Sequence, residues 1–345
     1  MLNRLRSLVA AFGARFGWNW VGYAIGLTIV GISLYVLSHL LRDIEWSHVL
    51  AAAKATPPTH IAAAILAIGG AYFTLSFYDY FALRVIGAKH VPYRIAALAS
   101  FTSYAIGHNI GATAFSGGAV RLRIYSYFRL GVIDVAKICF LTGLTFWIGN
   151  LVVLGSGMVY RPEVSSLILQ ISPGIIRAIG IAALIVLSAY ILWVGRARRS
   201  FGRNGWQVTL PGGYSTLIQI GIGIADLTFS SLAMYSLVPS APQDDFITVA
   251  IATVSATLLG FASHAPGSLG VFDAAMLVAL PDMNKEELVA ALIIYRVLYF
   301  MIPFVIALLI MAYWEATLFI EGTQGDGKRK SLEVAATGER RDRVE

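Results

Sequence analysis

Residues 95–130 have the sequence IAALASFTSYAIGHNIGATAFSGGAVRLRIYSYFRL, and this stretch decides the fold. Its first part, up to Val120, carries no charged side chain and is longer than the ~20 apolar residues that cross a bilayer as a helix. Four glycines interrupt this apolar part, namely Gly107, Gly111, Gly117 and Gly118. Broken backbone is tolerated at membrane depth only where protein or a wet cavity satisfies its polar groups. The stretch therefore predicts an interrupted helix next to a cavity in a membrane protein.

The composition of the whole chain supports a membrane protein. Of the 345 residues, 57% are hydrophobic and 13% are charged, and the mean hydropathy is +0.72. Soluble domains carry about 25% charged residues, so an ordinary cytoplasmic enzyme and a disordered chain are excluded. The single Cys139 excludes a disulfide framework and a thiolate metal cluster. A net charge of +7 would fit binding to nucleic acid, but the basic residues are clustered as expected for the cytoplasmic loops of a membrane protein. We therefore expect no nucleic-acid partner.

Charge-free stretches of membrane-spanning length recur along the chain. The eight segments are Phe16–Leu41, Ala55–Tyr78, Ile95–Val120, Ile138–Tyr160, Ala178–Gly195, Asn204–Ala225, Phe246–Phe272 and Val297–Trp314. The segment Phe246–Phe272 resembles Ile95–Val120, because Gly260, Pro266, Gly267 and Gly270 interrupt it.

Basic residues predict the topology, since short cytoplasmic loops collect lysine and arginine. Five basic clusters contain Arg4, Arg6 and Arg15; Arg84, Lys89 and Arg94; Arg121, Arg123, Arg129 and Lys137; Arg196, Arg198, Arg199 and Arg203; and Lys328, Arg329, Lys330, Arg340, Arg341 and Arg343. All five face the cytoplasm only if residues 95–130 form a re-entrant hairpin. By the same logic residues 246–280, flanked by Asp245 and Asp282, form a second hairpin from the opposite face.

We therefore predict an all-α polytopic protein with six transmembrane helices and two re-entrant hairpins in an inverted repeat, an architecture typical of transporters. Residues 18–160 and 173–319 form the two repeats. Residues 1–17 are a basic cytoplasmic N-terminal segment, and residues 320–345 are a disordered cytoplasmic tail. The expected location is the bacterial inner membrane, with both termini in the cytoplasm. The alternative is eight simple spans, which places the basic cluster around Arg121 outside the cell.

Charges inside the membrane are costly and indicate function by default. We predict that the four intramembrane charges Asp79, Asp226, Asp273 and Arg296 line a polar cavity that accepts a lipid headgroup, with Arg296 holding the phosphate at depth. The alternative is a structural ion pair, for example between Asp226 and Arg296. Arg121 and Arg123 are predicted to capture the lipid phosphate at the cavity mouth, helped by backbone amides at the preceding glycines. Ordinary positive-inside anchoring is the alternative for either arginine.

Both interrupted segments carry a histidine before a glycine-rich tip. His108 and His264 are candidate proton carriers, since histidine titrates near physiological pH. The alternative is that each only forms hydrogen bonds with backbone groups at the helix interruption. Asn109 is predicted to bond loop carbonyl groups. Residues assigned to the hairpins or to gating are Gly117, Gly118, His264, Pro266, Gly267, Gly270 and Asp273.

Enzyme motifs are scarce. Ser116 is not in a G-x-S-x-G elbow, and the glycines at Gly117 and Gly118 lack the Lys-Ser/Thr of a P-loop. The histidines are not spaced for a zinc site on one helix face. We therefore expect no enzyme activity, no metal and no cofactor.

Four stretches resemble a known family: residues 78–126, DVAKICFLTGLTFWIGN at residues 134–150, SHAPGSLGVFDAAML at residues 263–277, and IIYRVLYFMIPF at residues 293–304. They are similar to the transmembrane domain of the lysylphosphatidylglycerol synthase/flippase proteins, the multiple peptide resistance factor family. The resemblance runs from about Trp18 to about Phe319. Residues that match motif positions are Asp79, Arg84, His108, Asn109, Gly117, Gly118, Arg121, Arg123 and Arg296. Ser268 departs from the glycine that relatives often have.

The resemblance implies transport of aminoacylated phosphatidylglycerol between leaflets. Full-length members continue into a cytoplasmic aminoacyl-transferase domain, whereas this sequence resembles a stand-alone member, so lysyl transfer is not expected. The predicted function is a flippase for an anionic or zwitterionic phospholipid. Alternatives are transport of a polyprenyl-linked intermediate, a membrane-embedded lipid-modifying transferase, a non-transporting scaffold for a separately encoded synthase, and a transporter of a soluble substrate. The expected partners are membrane phospholipids; a homodimer and a separately encoded lipid synthase stay open.

Overall fold

A computed structural model describes residue 31 and residues 35–42, 44–111, 113–197, 199–203, 206–238 and 245–317. Its helices are α1 (Trp46–Ala55), α2 (Pro58–Val85), α3 (Tyr93–Ile110), α4 (Thr113–Tyr125), α5 (Val132–Tyr160), α6 (Pro162–Leu169), α7 (Pro173–Arg196), α8 (Gly213–Leu237), α9 (Phe246–Ser263), α10 (Val271–Ala279) and α11 (Lys285–Arg296). Helix α11 continues through a π-helical segment, Val297–Met301, as far as Thr317. Short 3-10 turns cover Ser126–Phe128 and Pro266–Ser268, and two strands, β1 (Ser200–Arg203) and β2 (Trp206–Thr209), pair antiparallel.

Six of the described helices are long and apolar enough to cross a membrane. They are Pro58–Val85, Val132–Tyr160, Pro173–Arg196, Gly213–Leu237, Phe246–Ser263 and Lys285–Thr317. The prediction of a helical protein with several membrane-spanning helices is therefore confirmed. These six helices differ from the six predicted spans in one member, because they include α9, which was predicted to be one arm of a re-entrant hairpin. Of the predicted first span, Phe16–Leu41, residues 35–40 are helical and most of the rest lies outside the described residues, as do residues 1–17 and 320–345.

The predicted span that starts at Asn204 is wrong at its beginning. Residues 206–209 form strand β2, and helix α8 starts at Gly213. Pro211 and Gly212 separate the two, because proline and glycine disfavour continuation of either element. Val208 of β2 is 2% exposed and packs in a core cluster with Ile124 and Leu141, so this small hairpin is held against the helices. The sequence analysis predicted only helices, so it did not include this β-hairpin.

Local sequence sets where several helices begin. Prolines occupy the first turn of α2, α6 and α7, where the missing N–H group costs no hydrogen bond. Asp245 caps α9 by accepting a bond from the Thr248 N–H at 3.0 Å, and Asn284 caps α11 in the same way through Glu287.

Helices α2, α5 and α8 form the centre that positions the site. Helix α2 packs against α8 and α3, and α5 packs against α7 and α8. Helices α5 and α8 cross at two glycines, where a Cβ added to Gly149 would lie 2.7 Å from the Gly223 Cα. Small residues at such a crossing let the backbones approach closely, as is common between membrane helices.

Candidate functional site

The two interrupted segments meet inside the bundle. Helix α3 ends at Ile110, and Gly111 has φ +84° before α4 begins at Thr113. A Cβ on Gly111 would lie 3.1 Å from the His264 carbonyl oxygen and 3.4 Å from the Pro266 Cα. Glycine meets both requirements, a left-handed backbone and a close approach. The first break is therefore in direct contact with the second.

The second break lies between α9 and α10. Helix α9 ends at Ser263, and the chain then passes through left-handed conformations at His264, Gly267 and Gly270. Asp273 accepts a bond from the Gly270 N–H at 3.1 Å, which fixes the start of α10. Two segments predicted to be interrupted are thus each broken into a longer and a shorter helix.

Arg296 holds the second break together. Its guanidinium donates to Asp273 Oδ1 at 3.0 Å and to Oδ2 at 2.6 Å. It also donates to the carbonyl oxygens of Gly267 at 2.9 Å and Ser268 at 3.3 Å. The ion pair of Arg296 with Asp226, which was the alternative, is not formed, because the guanidinium is occupied by Asp273 and by the carbonyls of the break. The same contacts make the predicted role of holding a lipid phosphate geometrically unfavourable.

Arg121 forms a buried ion pair with Asp79. Its Nε donates to Asp79 Oδ2 at 2.9 Å and its Nη2 donates to Oδ1 at 2.7 Å, while Tyr125 donates its hydroxyl to Oδ2 at 2.8 Å. The side chains of Arg121 and Asp79 are 4% and 0% exposed. The guanidinium also stacks over the Tyr104 ring, 4.9 Å from its centroid. Arg121 is therefore neutralised inside the protein rather than presented to a phosphate at the surface.

Arg123, two residues later on α4, points elsewhere. It forms an ion pair with Glu315 near the end of the last helix, with both side chains nearly half exposed. Its guanidinium also lies over the Tyr127 ring. The two arginines diverge, as their spacing on a helix requires, and the structure does not bring them to one site.

Gly117 and Gly118 serve helix packing. Both lie within α4, where backbone amides are engaged in helix hydrogen bonds. A Cβ on Gly117 would lie 3.0 Å from the Ser103 carbonyl oxygen, so glycine lets α4 approach α3. The expected cradle of backbone amides for an anion is therefore wrong at these two positions.

Asp226 is the buried carboxylate that lacks a basic partner. Its Oδ2 accepts a bond from the Tyr78 hydroxyl at 3.0 Å, and the residue is 5% exposed. Within the described residues, the salt bridges do not include Asp226. Asp226 lies at the middle of α8, so its carboxylate is far from either end of that candidate span.

A cavity of about 380 Å³ lies where the two breaks meet. Its walls come from α2, α3, α4, α5, α8, α9, the second break, α10 and the last helix, and they are mostly apolar. Of the predicted site residues, the lining includes His108, Arg121, Asp226 and His264, whereas Asp79, Asn109 and Arg296 support it from behind. This arrangement can hold a small polar group against the Asp226 carboxylate inside a mostly apolar chamber.

Asn109 bonds backbone carbonyl groups, but these belong to helices and not to a loop as the sequence predicted. Its amide donates to the Ala105 carbonyl at 2.8 Å and to the Phe300 carbonyl at 3.1 Å. Phe300 lies in the π-helical segment of the last helix, where the Tyr72 hydroxyl also donates to the Tyr299 carbonyl at 3.1 Å. Because π-helical turns disturb the regular ladder, these two donors tie the last helix to α2 and to the first break.

The two histidines have different surroundings. His108 packs among the rings of Tyr104, Phe261 and Phe300. His264 is exposed, and its Nδ1 lies 3.1 Å from the Ala262 carbonyl oxygen. Within the described part of the chain, no three His, Cys, Asp or Glu side chains cluster as a metal site requires.

Sequence reasoning missed the aromatic residues of the site. Tyr78, Tyr104 and Tyr125 each contact one of the charged side chains, yet tyrosines occur throughout this chain. Tyr78 immediately precedes Asp79, but this adjacency was no signal, because the Tyr78 hydroxyl bonds Asp226 on another helix. Glu315, the partner of Arg123, was missed because it lies 192 positions further along the chain.

Comparisons with known proteins agree with this picture of a membrane protein. The chain is 29% identical to an uncharacterised protein of Synechocystis, over 81% of this chain and 87% of that protein. It is 25% identical to the inner membrane protein YbhN of Escherichia coli, over 78% of this chain and 84% of YbhN. It is also 26% identical to phosphatidylglycerol lysyltransferase of Staphylococcus haemolyticus, over 80% of this chain.

The chain is a homologue of YbhN-like inner membrane proteins and of part of phosphatidylglycerol lysyltransferase. The resemblance predicted from the sequence is thereby confirmed. The matched part is 32% of the lysyltransferase, so most of that protein has no counterpart in the alignment. No family model matches the chain.

Proposed function

We propose that this protein is a lipid transporter that moves a phospholipid between the leaflets of the bacterial inner membrane. The observation that carries the proposal is the Asp226 carboxylate, buried in the cavity with a tyrosine hydroxyl as its partner. A buried ionised carboxylate is costly unless it is paired with an opposite charge. A positively charged group on a bound ligand would supply that pairing.

The walls of the cavity favour a lipid headgroup that carries an ammonium group. Tyr104, Phe261 and Phe300 present aromatic rings to the chamber, and aromatic faces attract cations. The relationship to phosphatidylglycerol lysyltransferase supports the same chemistry, since its name joins phosphatidylglycerol to a lysyl group, whose side chain is an ammonium. Zwitterionic and aminoacylated phospholipids are therefore the proposed substrates.

We propose that both of the re-entrant hairpins predicted from the sequence are present. Helix α10 has nine residues and is about 13.5 Å long, too short to cross a bilayer. Both α9 and α10 contact α6, and Arg161, just before α6, donates to Asp245 at the start of α9 at 3.0 Å. These contacts favour a segment that enters and returns on one side. In the proposal the α3–α4 hairpin enters from the cytoplasm, where both termini lie, and the two halves are inverted repeats.

A reconstitution experiment tests the function. The purified protein is placed in liposomes with fluorescent phosphatidylglycerol, lysyl-phosphatidylglycerol or phosphatidylethanolamine, and leaflet accessibility is followed over time with and without a pH gradient. Asp226→Asn keeps the size of the side chain and removes its charge. Asp282→Asn, at an exposed carboxylate outside the cavity, is the matched control.

We expect at least one ammonium-bearing lipid to move with the wild-type protein and with Asp282→Asn, and to stop moving with Asp226→Asn. Movement that persists in folded Asp226→Asn would contradict the assigned role of the carboxylate. If the folded wild-type protein moves none of the three lipids, the proposal fails, and a polyprenyl-linked substrate or a non-transporting scaffold for a separate synthase becomes the better hypothesis.

A further inference from the structure

The cavity reaches the outer surface of the protein between α4 and α5. Three of its lining residues are exposed: Phe115 on α4 at 83%, Trp147 on α5 at 56%, and the polar His264 at the second break. The other large lining rings are buried, such as Phe272 and Tyr299, or half-buried, such as Phe146 and Phe261. A residue that both lines a chamber and faces outward marks a place where the chamber opens.

This opening lies at the depth of the hydrocarbon core. Trp147 follows the first residue of α5, Val132, by 15 positions in a helix of 29 residues, so it sits near the middle of a candidate span. Tryptophan anchors normally lie at the two ends of a span, at headgroup level. Trp147 therefore faces lipid tails instead of water or headgroups.

Gly143 forms the floor of the opening. It lines the cavity one helical turn before Trp147, and no atom lies within 4 Å of where its Cβ would be. Residues four positions apart share one face of a helix, so Cys139, Gly143 and Trp147 form a strip of α5 that runs from the cavity to the surface. We call Phe115, Gly143 and Trp147 the side opening.

The size of the chamber suits a headgroup and excludes a whole phospholipid. A volume of about 380 Å³ is at the low end of the ~300–1,000 Å³ typical for drug-sized ligands. It accommodates a headgroup, while the acyl chains of a phospholipid have to stay outside. The charged groups, Arg121 with Asp79 and Asp226, are inside, and the side opening is lined by apolar side chains and a glycine.

We infer that the side opening between α4 and α5 is a binding site for the acyl chain of the phospholipid whose headgroup occupies the cavity. This inference rests on the proposed function for the identity of the headgroup. The geometry of the opening selects an amphiphile, because a soluble substrate has no need of an exit into the lipid tails.

Photo-crosslinking tests the site directly. The full-length protein is reconstituted in liposomes that contain phosphatidylethanolamine with a diazirine in the middle of one acyl chain. After illumination, labelled peptides are mapped by mass spectrometry. We expect labelling of the strip around Cys139 and Gly143 in addition to the outward faces of helices such as α7. Labelling confined to outward-facing helices would overturn the inference.

Blocking variants provide the comparison. In Gly143→Trp the indole fills the side opening, so labelling of the strip is lost. Gly69→Trp is the matched control, because Gly69 is also a helical glycine in a candidate span with no atom within 4 Å of its Cβ position, and it does not line the cavity. Gly143→Leu is used if the tryptophan variant does not fold. Unchanged labelling of the strip in a folded blocking variant would overturn the inference.

Transport measured on the same samples separates the two proposals. Labelling of the strip without any lipid movement keeps the side opening as an acyl-chain site and refutes the transporter. Lipid movement without labelling of the strip keeps the transporter and refutes the side opening. If both are right, Gly143→Trp loses labelling and transport together, whereas Gly69→Trp retains both.

Discussion

Replacing Asp79 by asparagine tests the buried ion pair. Asp79 is fully buried and accepts bonds from the Arg121 guanidinium and the Tyr125 hydroxyl. Asparagine preserves the shape but leaves the guanidinium charge buried without an opposite charge. Removing one partner of a buried ion pair costs about 3–5 kcal/mol, whereas replacing both by apolar residues is often neutral or stabilising. We therefore expect Asp79→Asn to lose about 3–5 kcal/mol of unfolding free energy.

The double variant Asp79→Leu/Arg121→Met removes both charges and should be more stable than either single variant. Chemical unfolding in detergent can be followed through Cys139, the one cysteine of the chain, as it becomes reactive towards a fluorescent maleimide. Glu315→Gln, which breaks the exposed pair with Arg123, is the control and should have no measurable effect. The reasoning is refuted if Asp79→Asn is as stable as the wild type, or if the double variant is no better than the single ones.

Three further predictions concern the two breaks, each measured by thermal unfolding and lipid movement in the same preparation. Arg296→Ala frees the carbonyls of Gly267 and Ser268 and should abolish transport while the protein still inserts into membranes; normal transport by this folded variant would contradict the role of Arg296. Gly111→Ala puts a Cβ at φ +84° next to the His264 carbonyl and should destabilise by at least ~1–2 kcal/mol, whereas Gly69→Ala should not. Asn109→Leu leaves the Phe300 carbonyl without its side-chain donor, so it should cost about 1 kcal/mol and slow transport; an unchanged rate would show that the tie to the last helix is not needed.

Much of the fold could be predicted because a membrane-spanning helix has a signature in its local sequence. A span requires a long apolar run, and the run is visible in the sequence regardless of what packs against it. The interruptions were visible for the same reason, since glycine and proline act on their own backbone. The prediction failed at residues 200–209, where a short hairpin of mixed polarity packs against the bundle, and pattern reasoning merged its second strand with the following helix.

The candidate site was predicted in its residues but not in its pairings. Asp79, Asp226, Asp273 and Arg296 were singled out because charges in membranes are rare. The partners were wrong or unassigned: Arg296 contacts Asp273, Arg121 contacts Asp79, and Asp226 contacts Tyr78. The predicted phosphate site at Arg121 and Arg123 is also wrong, because each arginine forms an ion pair with a carboxylate that is distant in the sequence.

The sequence alone determined that this chain is a helical membrane protein, which helices are interrupted, and which family it resembles, because hydrophobic length and glycine conformation are properties of neighbouring residues. Among the described residues, the tertiary structure was needed to learn which buried carboxylate has no cationic partner in a salt bridge. Asp79 and Arg121 are 42 positions apart, and Tyr78 and Asp226 are 148 positions apart. Such contacts depend on how distant helices pack and rotate about their axes, and the spacing of residues within one helix does not contain that information.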